Sequence, residues 1–225
     1  MITGFNLITT IFLIRHGQTD WNLAHRWQGH IDIPLNETGR RQSGLLAQRL
    51  ANLPIRAVDT SDLARAFETA TILAEPMGLQ PIPDSTLRER FGGHFQGLTF
   101  DELESQHEEA WRRVRLENGT PPGGESLFQV AKRMSAFYET IAIRHSGQLV
   151  ALVSHGGALN LLIAAIVGLP LGQPASISLR GNTGLSIIEI GENGGRLVAL
   201  NDTNHLQVAS ESGLDSSLPS PAEAS

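Results

Sequence analysis

The sequence predicts an α/β fold: a three-layer α/β/α sandwich with a mostly parallel central sheet and an antiparallel edge strand. Three observations predict it. The apolar runs Thr10–Ile14, Ala57–Thr60 and Leu149–Ser154 are rich in β-branched residues and do not alternate cleanly, as strands buried on both faces do not. Stretches with helical spacing separate them. Two further apolar runs, Leu185–Ile190 and Leu197–Leu200, flank the turn Gly191-Glu192-Asn193-Gly194-Gly195 and read as a hairpin at the sheet edge.

Taken in order, each element has a local reason. Thr10–Ile14 opens the sheet. Glu37–Ala51 places Leu45, Leu46, Ala47 and Leu50 on one helical face, and Leu63–Met77 does the same with Phe67, Ala70, Leu73 and Ala74. Ser61 or Asp62 would open the second of these helices. Thr99-Phe100-Asp101-Glu102 and Ser126-Leu127-Phe128-Gln129 fit the capping box that starts a helix. Pro121-Pro122-Gly123-Gly124 is a loop between them. Ala158–Val167 is helical, and Ser176–Arg180 reads as a short strand. From Ala209 to Ser225 the chain is made of small and polar residues, so residues 1–208 form one domain and 209–225 a disordered tail.

Composition bounds the chemistry. The 225 residues are 40% hydrophobic and 18% charged, enough for a sizeable core. The net charge of -6 and the lack of a basic run exclude a nucleic-acid surface. With no cysteine, disulfides, thiolate catalysis and thiolate metal sites are excluded. The first cation, Arg15, follows the apolar start rather than preceding it, which argues against a signal peptide, and that start is too short to span a membrane. The expectation is a cytoplasmic protein with no nucleic-acid or membrane partner. An exposed edge strand allows a homodimer.

Two histidines sit where an open α/β sheet places its ligand, just past the carboxyl ends of strands. Arg15-His16-Gly17 follows the first run and Ser154-His155-Gly156-Gly157 follows the third. Arg65 follows the second, in the first turn of the next helix. The N-terminus of the helix after His155 would face an anion. A lone histidine after a strand is ordinarily structural, and a lone arginine in a first turn is ordinarily a surface charge. Together, two arginines, two histidines and helix N-termini suit a phosphoryl group: guanidinium donors match phosphate oxygens and keep their charge. Arg15 and Arg65 would hold His16 neutral, and its second ring nitrogen should donate to a backbone carbonyl. The eight histidines form no H-x-x-x-H or H-E-x-x-H pattern, and no aspartate-rich loop supports a hard cation, so neither a metal nor an organic cofactor is expected.

Four ordered segments resemble the histidine phosphatase superfamily, in its phosphoglycerate-mutase-like branch: Arg15-His16-Gly17-Gln18-Thr19-Asp20-Trp21-Asn22; Ser61 to Ala70 around Arg65; Leu87-Arg88-Glu89 followed by Gly92-Gly93-His94-Phe95-Gln96-Gly97; and Ser154-His155-Gly156-Gly157. They span about residues 10–200. His94, Phe95 and Gln18 depart from residues common in relatives. The resemblance implies a phosphoglycerate-mutase-like fold and a metal-independent phosphomonoesterase acting on a small phosphorylated metabolite and releasing inorganic phosphate. His16 would be the phospho-accepting nucleophile. Arg15, Arg65 and His155 would hold the phosphoryl oxygens, with Asn22 adding a hydrogen bond and Gln28, Gly29 and Gly156 lining the pocket. Glu89 would be general acid and then general base; Asp84, Asp101, Glu102 and Glu125 are its neighbours in sequence. The compact stretch between Glu89 and His155, with Pro121 to Ser126, resembles the phosphatases more than the mutases. The alternatives are a cofactor-dependent phosphoglycerate mutase and a non-catalytic phosphate-binding module. Trp27, Phe91, Phe95 and the segment Thr99–Arg115 would form the pocket rim, with Trp111 packing its own helix. His205 resembles a common family ending and could equally cap the last strand.

Overall fold

A computed structural model describes residues 8–173, 176–177, 179–192 and 194–211. Among them six strands form one sheet. In chain order the elements are β1 (Thr9–Arg15), α1 (Asp20–Leu23), α2 (Glu37–Leu50), β2 (Ile55–Thr60), α3 (Ala64–Ala74), β3 (Ile82–Pro83), α4 (Phe100–Gln106), α5 (Glu108–Leu116), α6 (Leu127–Arg144), β4 (Leu149–Ser154), α7 (Gly156–Ile166), β5 (Leu185–Gly191), β6 (Gly194–Asp202) and α8 (Asn204–Glu211). The sheet order is β3-β2-β4-β1-β5-β6. β1, β2, β3 and β4 are mutually parallel, and β5 runs antiparallel to both of its neighbours, β1 and β6. The antiparallel strand therefore lies one in from the edge, which β6 forms.

The unbroken apolar runs of the central strands serve both faces. Ile11 and Leu13 of β1, with Val150 and Leu152 of β4, pack against Val130 and Met134 of α6 and Leu159 and Leu162 of α7. The alternate residues Phe12, Ile14, Ala151 and Val153 pack against Leu46 and Leu50 of α2 and Ala70 and Leu73 of α3. Successive side chains of a strand point to opposite faces, so a strand between two helical layers must be apolar throughout. A third, small cluster joins Phe95, Leu103 and Val114 with Trp27 and Trp111, and ties α4 and α5 to the body.

Local signals fix the helix starts. Thr99 and Ser126 are N-caps with complete capping boxes, as their spacing predicts. Asn36 caps α2 through the Gly39 N–H. α3 departs from expectation: its N-cap is Leu63 with no side-chain bond, so neither Ser61 nor Asp62 caps it. Phe67 lies on its exposed side, because α3 packs through Ala66, Ala70 and Leu73.

Four further differences have physical reasons. Ser176, Ile177, Leu179 and Arg180 are not in a strand; β1 takes β5 as its antiparallel neighbour, and the carbonyls of Leu179 and Arg180 turn to Arg15. β3 is two residues long and carries no periodicity to read. The segment Thr99–Arg115 is two helices, α4 and α5, meeting at His107. α8 continues to Glu211, past the boundary at residue 209, and the rest of the tail, 212–225, lies outside the described residues.

Ile11 is fully buried at the centre of one face. Ile11→Ala should destabilise the fold by about 2–5 kcal/mol, read as a lower urea midpoint with an unchanged slope.

Candidate active site

The carboxyl ends of β1, β2 and β4 converge on a cavity of about 500 Å3. It is lined by Arg15, His16, Asn22, Gln28, Gly29, Arg65, Glu89 and Gly156, among others. Of the residues expected to be catalytic or to bind substrate, all line it except His155, which is fully buried and packs against His16 with ring centroids 5.1 Å apart.

His16 directly follows β1 and is 3% exposed. Its Nδ1–H donates to the carbonyl of Gly17 at 2.6 Å, so the neutral ring presents Nε2 as its bare nitrogen. Burial, then Arg65, then Arg15, push its pKa well below the usual histidine value. The backbone behind it is clamped: Thr69 Oγ1 accepts the Gly17 N–H at 2.9 Å, and Asn182 Nδ2 donates to the His16 carbonyl at 3.0 Å.

Both arginines are anchored by carbonyls. Arg65, second residue of α3 and fully buried, donates to Gly29 O at 2.7 Å and Ile31 O at 3.0 Å. Gly29 holds φ +53°, and a Cβ there would strike Gln96, so this carbonyl position needs glycine. Burial lowers the Arg65 pKa to about 10, which leaves it a cation at neutral pH. Arg15 donates to the carbonyls of Leu179, at 3.0 Å, and Arg180. The Nε atoms of both arginines, Nδ1 of His155 and Oε1 of Gln28 are buried with no partner. The amide of Gln28 can present either end. Asn22 Oδ1 accepts from Thr19 N, Thr19 Oγ1 and Asn182 Nδ2, which leaves its own amide donors for the cavity.

Glu89 has a second employment invisible in the sequence. Its carboxylate caps α7: Oε2 accepts from Gly157 N at 3.0 Å, and Oε1 accepts from Ala158 N at 3.0 Å and Arg90 N at 2.8 Å. The anion that the α7 N-terminus faces through the N–H groups of Gly157 and Ala158 is thus the Glu89 carboxylate. Gly156 and Gly157 are helical rather than turn residues. A Cβ on Gly157 would lie 2.7 Å from Glu89 Oε1.

The other carboxylates are accounted for elsewhere. Asp84 caps Thr86, Glu102 completes the Thr99 box and meets Arg26 at 3.4 Å, and Asp101 is exposed in the first turn of α4. Glu125 pairs with Arg133 at 3.0 Å. That pair is a support for the Glu89 backbone that the motif reading missed. Arg133 donates to the carbonyls of Thr86, Arg88 and Glu89 at 2.7, 2.6 and 2.9 Å, and His30 Nε2 donates to Glu89 O at 2.8 Å. The only trace of it in the sequence is Glu125, beside the Pro121–Gly124 loop.

The rim differs in part from expectation. Trp27 and Trp111 line the cavity, and Trp111 also stacks on Phe100 at 5.6 Å. Phe95 is core, 1% exposed, and Phe91 packs on His30 instead. Phe100, Leu127, Leu161 and Leu179 complete the apolar wall, and Arg26, Arg90 and Arg180 add positive charge. Arg112 turns away to Glu117. His205 lies outside the cavity and bonds Thr183 Oγ1 at 2.9 Å. Among the described residues no set of three or more histidine or carboxylate side chains is placed to hold a metal, and no helix is long and apolar enough to cross a membrane.

A neutral histidine and two guanidinium groups thus meet at the ends of parallel strands. Residues 11–203 match the histidine phosphatase superfamily (branch 1), and the chain belongs to it. Among relatives, GpmB of Yersinia pestis, named as a probable phosphoglycerate mutase, is 38% identical over 88% of this chain and 95% of its own. Among solved structures, Bacillus stearothermophilus YhfR superposes with a TM-score of 0.81 at 32% identity, covering 88% of this chain and 99% of that one. A mycobacterial glucosyl-3-phosphoglycerate phosphatase, solved with VO3, gives 0.77 at 34% identity, covering 85% and 98%.

The buried histidines set a pH dependence. His16, His155 and His205 have pKa values lowered from 6.5, that of His205 to about 4, each first by burial. Below about pH 6.5 the unfolded chain binds protons that the folded chain does not, so stability falls as the pH drops from about 6.5 towards 4. The urea midpoint should fall between pH 7 and pH 5, and His205→Gln should show a smaller fall than wild type.

Proposed function

We propose that this protein hydrolyses phosphomonoesters of small metabolites through a phosphohistidine on His16. The observation that carries the proposal is the set of partnerless buried atoms beside His16: the Nε–H donors of Arg65, whose two other nitrogens are tied to carbonyls, and of Arg15, whose Nη1 is. Burying such donors unpaired is costly, and a phosphoryl group supplies their acceptors.

In this reading His16 Nε2 attacks phosphorus while the bond to the ester oxygen breaks. Arg15, Arg65, His155 and the Asn22 amide stabilise the equatorial oxygens as charge spreads over them. Gln28, Gly29 and Gly156 shape the pocket. Glu89 protonates the departing oxygen. Oε1 already takes two N–H bonds and Oε2 one, so Oε2 is the oxygen with a lone pair left for the proton. The resulting carboxylate then takes a proton from the water that attacks phosphohistidine, releasing inorganic phosphate and restoring both groups.

A second reading, phosphate transfer between hydroxyls, rests on the name of the GpmB relative. Hydrolysis is favoured by the small lid, two helices of seven and nine residues held by one small cluster, because a mutase must keep phosphohistidine dry.

Phosphate release from a panel of phosphomonoesters, in EDTA, tests both. Wild type should hydrolyse at least one member and His16→Ala none. Interconversion of phosphoglycerates without phosphate release would establish the mutase instead. Glu89→Gln should slow alkyl phosphates by about 10²–10⁴-fold, the usual worth of a general acid, and slow p-nitrophenyl phosphate far less. Equal losses on both would remove Glu89 from that role.

A further inference from the structure

Ser61 lies in the second arginine motif, yet it neither caps α3 nor lines the cavity. It directly follows β2 and is fully buried, with its N–H bonded to Val153 O at 2.9 Å. Its hydroxyl has two neighbours. Leu63 N–H donates to Oγ at 3.3 Å, and Nε2 of His155 lies 2.9 Å from it. The other ring nitrogen of His155, Nδ1, is buried without a partner beside His16 and the arginine Nε atoms that also lack one.

The direction of the Ser61–His155 bond follows from counting protons. A neutral imidazole carries one N–H, and a serine hydroxyl has one proton and two lone pairs. Burial, then Arg65 and His16, hold His155 neutral. If Nε2–H donated to Ser61, both lone pairs of Oγ would be filled. The hydroxyl proton would then have no acceptor and Nδ1 would be a bare buried lone pair, leaving two groups unsatisfied. If Ser61 donates to Nε2, the hydroxyl gives its proton and accepts one bond, so that one lone pair of Oγ and an Nδ1–H remain open. The second arrangement strands no hydroxyl proton, and an oxygen that already donates and accepts carries a vacant second lone pair at little cost. It also changes what His155 can do. A bare Nδ1 would repel a phosphoryl oxygen, whereas Nδ1–H attracts one.

We infer that Ser61 is a positioning residue that fixes the tautomer of His155 with its proton on Nδ1, so that this histidine acts as a neutral hydrogen-bond donor to the phosphoryl group. The inference rests on the phosphatase reading for its use, but the tautomer stands apart from turnover. It also gives His155 a task different from that of His16. A carbonyl that accepts from Nδ1–H locks the first ring, so that Nε2 attacks. A hydroxyl that donates to Nε2 locks the second, so that Nδ1–H donates.

The test is long-range ¹H–¹⁵N NMR of the full chain at neutral pH, with the His155 signals assigned from His155→Asn. Wild type should show a protonated Nδ1 and an unprotonated Nε2, and Ser61→Ala should lose that preference. An Nε2–H tautomer in wild type would overturn the inference, and so would an unchanged Nδ1–H tautomer in Ser61→Ala. Orthovanadate titration supplies the second reading. Ser61→Ala should bind about 10- to 100-fold more weakly, the range for a hydrogen bond to a charged group, while Ser61→Thr, which keeps the hydroxyl, restores most of the affinity. Equal affinity in wild type and Ser61→Ala would also overturn it. If no phosphomonoester is hydrolysed while the Nδ1–H tautomer is found, the activity fails and the tautomer assignment holds.

Discussion

The structure depends on burying two guanidinium groups next to one imidazole. An unpaired buried charge is among the most costly features a fold can hold. Arg15 and Arg65 are made tolerable by carbonyls drawn from four residues, Leu179, Arg180, Gly29 and Ile31, all in loops beyond the strand ends. The dependence runs both ways. The arginines fix those loops, and the loops define the walls of the cavity. Because carbonyls carry only partial charge, the site stays electropositive within a chain of net charge -6, which suits capture of an anion.

That positive field also sets the state of the histidines. It adds to burial in keeping His16 and His155 neutral, and a neutral ring has one donor and one acceptor whose order must be chosen. Gly17 O makes the choice for His16, and in the tautomer we infer Ser61 makes it for His155. The proposed nucleophile and the proposed donor differ in what stands behind them, although both are histidines that follow a strand.

The carboxylate is positioned by a different set of bonds. Glu89 is gripped at its side chain by the first turn of α7 and at its carbonyl by Arg133 and His30. Arg133 comes from α6 and is itself held by Glu125. The helix that carries Gly156 therefore also orients Glu89, and the distance between carboxylate and phosphoryl pocket is set by rigid elements rather than by a loop. Gly157 allows this approach, since a side chain would occupy the place of the carboxylate.

The sequence by itself determined the sandwich, the parallel order of the central strands and the motifs. Strands buried on both faces are apolar throughout, capping boxes are local, and His16, Arg15, Arg65 and Glu89 each stand in a motif of contiguous residues. The tertiary structure decided what depends on contacts between residues far apart in the chain. It set β5 antiparallel against β1, turned Leu179 and Arg180 from a strand into a clamp for Arg15, and gave Ser61 to His155 rather than to α3. It also gave the start of α7 to Glu89 and brought Arg133 under the acid loop. A hydrogen bond across dozens of residues leaves no periodicity in either segment, so these partners became legible only once the sheet had brought the strand ends together.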